Sequence, residues 1–107
     1  MSDPDDELQW LMSWFATHCN GKWEHQFGVK IETIDNPGWI VEIDLTETEL
    51  GECTYDSRAI NRSQSDWLSC KVENQKFIGA GDVTKLTELV REFRLFAQSR
   101  QATSRSR

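Results

Sequence analysis

The sequence predicts an α+β domain: an N-terminal helix, an antiparallel sheet of about four to five strands, and a C-terminal helix, with the helices in a single layer on one sheet face. Three observations carry this. Phe27, Val29, Ile31 and Thr33, then Trp39, Val41, Ile43 and Leu45, recur at every second position on either side of Asp35-Asn36-Pro37-Gly38. Such alternation marks strands with one buried and one wet face. Apolar residues at helical spacing flank this region on both sides. The 107 residues suit one domain, placed at residues 1–97, with an unfolded Arg/Ser-rich tail over 98–107.

The first helix has a clear start. Asp3 is placed to N-cap, Pro4 fits the first helical position, and Asp5, Asp6 and Glu7 complement the positive helix end. Leu8, Leu11, Met12 and Phe15 form the expected core stripe, while Trp10 and Trp14 lie on an adjoining face. Those two Trp residues serve either as core or as a partner-binding edge. Asn20-Gly21 ends the helix. Lys22 to Gln26 reads as a linker, with Trp23 in the core and Glu24 holding a backbone or loop group.

The hairpin follows. Both apolar sets occupy odd positions, so opposed residues must sum to an even number. The expected pairing sets Asp35 against Trp39 and Ile31 against Ile43, leaving Asn36-Pro37-Gly38 as an odd-length loop with Gly38 at positive φ. On the outer face this opposes Glu32 to Glu42 and Lys30 to Asp44. Like charges facing each other destabilise a sheet slightly, a cost that a binding face for a basic partner would justify; a solvated face explains them as well.

Glu47, Glu49 and Glu52 read as a wet loop, 54–60 as a weak strand, and 61–65 as a polar turn. Leu68, Cys70 and Val72 should face the core, and 76–78 make a last short strand. Gly79-Ala80-Gly81-Asp82 lacks the third glycine of a phosphate-binding loop, so Asp82 is expected to N-cap the last helix. Leu86, Leu89, Val90, Phe93 and Phe96 form the stripe of that helix.

Several stretches resemble the Imm53 family of bacterial immunity proteins, which belong to polymorphic toxin systems. They are Trp23-Glu24-His25, then Gly28 through Trp39 with its Asp35-Asn36-Pro37-Gly38-Trp39 segment, Leu8-Gln9-Trp10-Leu11, Asp66-Trp67, and Phe77 through Asp82 with Gly81-Asp82. Val83 stands where the pattern tends to have Pro. The resemblance implies a toxin-neutralising binder with no catalytic centre; no cofactor is expected.

Charge agrees in sign. The chain carries 12 basic and 18 acidic residues, net −6. Arg91, Arg94, Arg100, Arg105 and Arg107 against Glu92 give a basic tail of +4, leaving −10 for the body. An acidic body repels nucleic acid and favours a basic toxin domain, although solubility alone also rewards such charge. Three cysteines without close pairing fit a reducing cytoplasm, and the acidic opening carries no export signal. No apolar run is long enough for a membrane span. His18, Cys19 and His25 lack the second ligand pair a zinc site needs, so no metal is expected. Glu32, Glu42 and Asp44, with Trp10 and Trp14, are the candidate toxin-binding residues. The rival is a small-ligand module or small enzyme at Glu24 and His25. Composition sets no oligomeric state and no toxin identity.

Overall fold

The computed structural model describes residues 4–35 and 37–105. Helix α1 spans Pro4–His18 and a single turn, α2, spans Trp23–Gln26. Five strands follow: β1 Val29–Ile34, β2 Gly38–Asp44, β3 Arg58–Ser63, β4 Asp66–Glu73 and β5 Lys76–Gly81. Helix α3, Leu86–Arg105, closes the chain. The strands form one antiparallel sheet in the order β1-β2-β5-β4-β3, so β5 is central and β1 and β3 are edges. The fold is the expected α+β. The expected N-cap Asp3 and loop residue Asn36 lie outside the described residues.

The core forms where α3 lies on β2, β5 and β4 and α1 packs beside α3. Val41, Ile43, Leu45, Phe77, Leu89, Val90 and Phe93 are fully buried, as the strand parity and the helix stripe require. Phe93 meets Trp14 edge-on at 5.0 Å and Phe77 at 5.3 Å between ring centres. Burying one such side chain contributes about 1.5–3 kcal/mol. The β2–β3 loop is pinned by buried Leu50 and by Tyr55, whose ring packs edge-on against Phe77 and Phe96.

Five local expectations are corrected. Among the described side chains of α1 the buried ones are Glu7, Leu11 and Trp14, while Leu8 and Met12 are 43% and 56% exposed. Neighbour α3, which offers Phe93 to Trp10 and Trp14, decides which stripe turns inward. The linker contains a helical turn, with Trp23 buried and its Nε1 donating to Thr46 O at 2.9 Å. The weak strand begins at Arg58, and the expected turn is strand through Ser63. Strand β5 runs through Gly81 instead of stopping at Ile78. Glycine suits these strand positions because α3 and the residue before it pass close: a Cβ on Gly79 would lie 3.1 Å from Leu89 Cδ2, and one on Gly81 2.7 Å from Lys85 Cβ. Finally, α3 stays helical to Arg105, past the expected tail start at Gln98. Helix propagation is cheap once nucleated, and Gln, Ala and Arg are good helix formers.

The hairpin keeps its parity and changes its register by two. Ile31 opposes Val41, Thr33 opposes Trp39, and Ile34 opposes Gly38. The odd-length loop is therefore 35–37. Positive φ among glycines falls at Gly21 (92°) and Gly28 (153°), so the positive φ expected at Gly38 is wrong. Gly38 serves close approach instead. A Cβ there would sit 2.2 Å from Gly81 O, inside contact distance. The β4–β5 hairpin turns on Asn74 and Gln75, both at positive φ (55° and 60°), as a tight two-residue connection demands.

Candidate functional site

Side chains on the sheet face away from the helices follow from the register. Lys30, Glu42, Ile78 and Lys71 lie in one row across β1, β2, β5 and β4. Glu32, Ile40, Ala80, Ser69 and Ala59 form the next row, reaching β3. Asp44, Lys76 and Glu73 form a third. Ile34, Ile40, Ile78, Ala80 and Trp67 are half-buried there, an apolar band in a charged border. No helix covers this face among the described residues.

Glu32, Glu42 and Asp44 do share this face, but not with the expected opposition. Glu32 faces Ile40, and Glu42 faces Lys30. Asp44 faces Lys76, which also faces Glu73. The like-charge pair is absent because the two-residue change of register moves each carboxylate onto a different partner. Lys71 pairs with Glu73 at 2.8 Å and holds its carboxyl below the usual range. Lys30, Lys71 and Lys76 thus nearly balance the four carboxylates. A 350 Å³ hollow between Gln26–Lys30 and the Glu42, Asp44 and Lys76 side chains opens at one end of the face.

The other candidates separate by burial. Trp14 is 4% exposed and belongs to the core; Trp10 is half-buried against Phe93. Trp14 is therefore not placed on an edge. The apolar groups that α1 does expose are Leu8 and Met12.

The motif residues meet at one end of the sheet. Gly38 packs on Gly81, and Trp39 donates its indole N–H to Val83 O at 3.1 Å. Asp82 is not the cap of α3, which starts four residues later. Its carboxylate accepts from Trp67 N–H at 2.8 Å, Thr84 N–H at 2.8 Å, Thr84 O–H at 2.6 Å and Lys85 Nζ at 2.8 Å. Asp82 N–H donates to Trp67 O, so the side chain extends the β4–β5 ladder where the backbone leaves it. Lys85 also reaches Asp66 at 2.9 Å. Lys85 and then Thr84 drive the Asp82 carboxyl far below the carboxylate range; Asp82 and then Asp66 raise Lys85. Asp35 and Pro37 are exposed in the loop.

Glu24 is occupied by backbone. It accepts from Asn20 N–H at 2.9 Å and Gly21 N–H at 2.9 Å, and its own N–H and these two hold its carboxyl below the ordinary value of 4.5. His25 Nε2 stands 3.9 Å away, beyond hydrogen-bond reach, with the ring 74% exposed. His18 lies between Trp14 O and Glu49, each at 2.8 Å, and Cys19 is exposed. Among the described residues no group of three or more His, Cys, Asp or Glu is placed to hold a metal.

Two polar clusters escaped the sequence reading. Glu7 is completely buried, with Arg91 Nε at 2.8 Å and Arg94 Nε at 3.2 Å. Both arginines therefore belong to the body and not to the tail. The remaining Arg100, Arg105 and Arg107 carry +3, leaving −9 on residues 1–99. Spacing gave a signal: Glu7 precedes Leu11 by four and Trp14 by seven, on one helix face. Tyr55 donates to Glu92 Oε1 at 3.0 Å, and Arg58 pairs with the same carboxylate. Burial pushes the Tyr55 phenol up and the nearby Cys70 thiol up to about 12, leaving Cys70 protonated and inert as a nucleophile.

The model of the family described as Immunity protein 53 matches residues 8–98. The chain belongs to that family. No curated protein and no solved structure matches it. No described helix is long and apolar enough to cross a membrane.

Proposed function

We propose that this chain binds a cognate bacterial toxin domain of basic surface in the cytoplasm and neutralises it by non-covalent occlusion, without catalysis. The observation that carries the reading is the uncovered face of the five-stranded sheet, with its half-buried Ile34, Ile40, Ile78 and Trp67 inside a charged border. Apolar groups ringed by polar ones are how protein interfaces anchor. Family membership supplies the toxin as partner. The balanced charges on the face argue that the −9 of the body steers the encounter while the apolar band holds the complex.

The test uses whichever toxin domain is found to be encoded in the neighbourhood of this gene. Reversing Glu32, Glu42 and Asp44 to Lys should slow association and flatten its salt dependence. Ile78→Asp should instead speed dissociation and weaken binding at least about tenfold. Circular dichroism confirms the fold of each variant. Wild-type affinity in both variants moves the interface off this face, and a wild-type chain that neither binds the toxin nor rescues cells from it overturns the reading.

A further inference from the structure

The sheet ends differently at its two edges. On β3 the register shifts between Asn61 and Ser63, and Arg58 and Arg62 stand along the strand. A bulge and charges of one sign are devices that block edge pairing. On β1 the ladder with β2 is unbroken from Val29 to Ile34, and its four central residues are exposed. Asp44 N–H donates to Gly28 O, which sets the phase of this ladder. Hydrogen-bonded and non-bonded pairs alternate, so even residues of β1 turn their backbone to β2. Val29, Ile31 and Thr33 therefore turn their N–H and C=O groups to the open edge.

We infer that β1 is a self-complementary edge, pairing antiparallel with β1 of a second copy of this chain about a two-fold axis at Ile31. The register is selected by charge. Ile31 against Ile31 sets each Lys30 against Glu32 of the other copy, twice. A slip by two in one direction sets Lys30 against Lys30; a slip in the other sets Glu32 against Glu32. The centred register also matches the backbone. Val29 with Thr33, Ile31 with Ile31, and Thr33 with Val29 all become hydrogen-bonded pairs, and the Lys–Glu pairs fall in the closer, non-bonded positions.

Packing points the same way. Ile31, on the helix side of the sheet, is 37% exposed, and Met12 on α1 is 56% exposed. Leu11, Met12, Phe15 and Val29 line an apolar groove of 230 Å³ beside this edge. A second strand would cover the Ile31 pair and roof the groove with Thr33 of the other copy. The axis stands perpendicular to the sheet, so both open faces point the same way. The dimer is thus independent of, and compatible with, toxin binding on that face. Six residues a side make a small interface, which fits a weak, concentration-dependent dimer.

Sedimentation velocity from about 1 µM to 1 mM tests this, spanning the affinities a small interface reaches. The wild type should pass from a 12.4 kDa monomer to twice that mass. Lys30→Glu should weaken the dimer at least about tenfold by creating two like-charge pairs. Adding Glu32→Lys to it should restore the wild-type constant. Ile31→Pro removes an N–H that the monomer does not use and should abolish the dimer with the circular dichroism unchanged. A chain monomeric throughout overturns the inference. So does a dimer indifferent to Ile31→Pro, or a charge swap that restores nothing.

Discussion

Glu7 and Asp82 are both buried carboxylates, and they are held in opposite ways. Asp82 receives hydrogen bonds from two backbone N–H groups, a hydroxyl and an ammonium. Among the described residues Glu7 has one hydrogen bond, from Arg91. Its Oε1 lies 3.2 Å from Arg94 Nε, but poor alignment leaves both atoms without a hydrogen bond. The cause is the backbone. Asp82 stands where a strand ends and N–H groups must find new acceptors. Glu7 stands within a helix, so partners must come from another element, here α3. The lesson is that a satisfied network fixes geometry, whereas an ion pair sets Coulomb attraction against desolvation and gains less.

Removing each carboxylate tests that contrast. Asp82→Ala orphans the Trp67 and Thr84 N–H groups and strands the buried Lys85, so it should give the largest loss of stability and loosen the junction of β4, β5 and α3. Glu7→Ala should cost about 1–3 kcal/mol, since Arg91 and Arg94 are partly exposed and can turn to water. Urea midpoints of the two variants decide the order. An equal or larger loss for Glu7→Ala would reverse the comparison.

The pH dependence sharpens it. Asp82 and Asp66 lie below their ordinary value of 3.8, and Lys85 lies above 10.5. A carboxylate lowered on folding contributes fully above its unfolded pKa and loses that contribution as pH falls through the folded value. A lysine raised on folding contributes fully below its unfolded pKa and loses that contribution as pH rises through the folded value. The network should thus stabilise between about pH 4 and 10 and weaken outside those limits. Asp82→Asn should flatten the acid limb of a denaturation-midpoint profile below about pH 4. An acid limb as steep as that of the wild type would remove Asp82 as a source of acid sensitivity.

How far the sequence revealed this follows from which forces are local. Strand parity placed Val41, Ile43, Leu45, Leu68 and Cys70 inward, because alternation is a property of each strand. The last helix stripe was legible for the same reason. The register of the hairpin was not. It depends on Gly38 meeting Gly81, a contact between residues distant in sequence. Leu8 and Met12 matched the helical period as well as Trp14 does, and only the position of α3 separates them. The outer-face carboxylates were placed on the right face, while their neighbours changed with the register. Arg91 and Arg94 looked like tail because their partner lies at the other end of the chain.

The smallest expected effect concerns what lies beyond those two arginines. If Arg91 and Arg94 are the cations that matter to Glu7, then Arg100, Arg105 and Arg107 add only distant charge, which salt screens beyond about 8–10 Å. Truncation after Ser99 also removes little apolar surface, since 100–107 holds one alanine as its sole apolar side chain. The melting temperature should shift by no more than about 2 °C in scanning calorimetry, even though the backbone is helical to Arg105. Combining the truncation with Glu7→Ala separates local from collective charge. Independent sites add, so the double change should equal the two single ones. A truncation that destabilises the wild type strongly, and the Glu7→Ala chain hardly at all, would show the whole arginine-rich end acting on Glu7 and would make its ion pair a network.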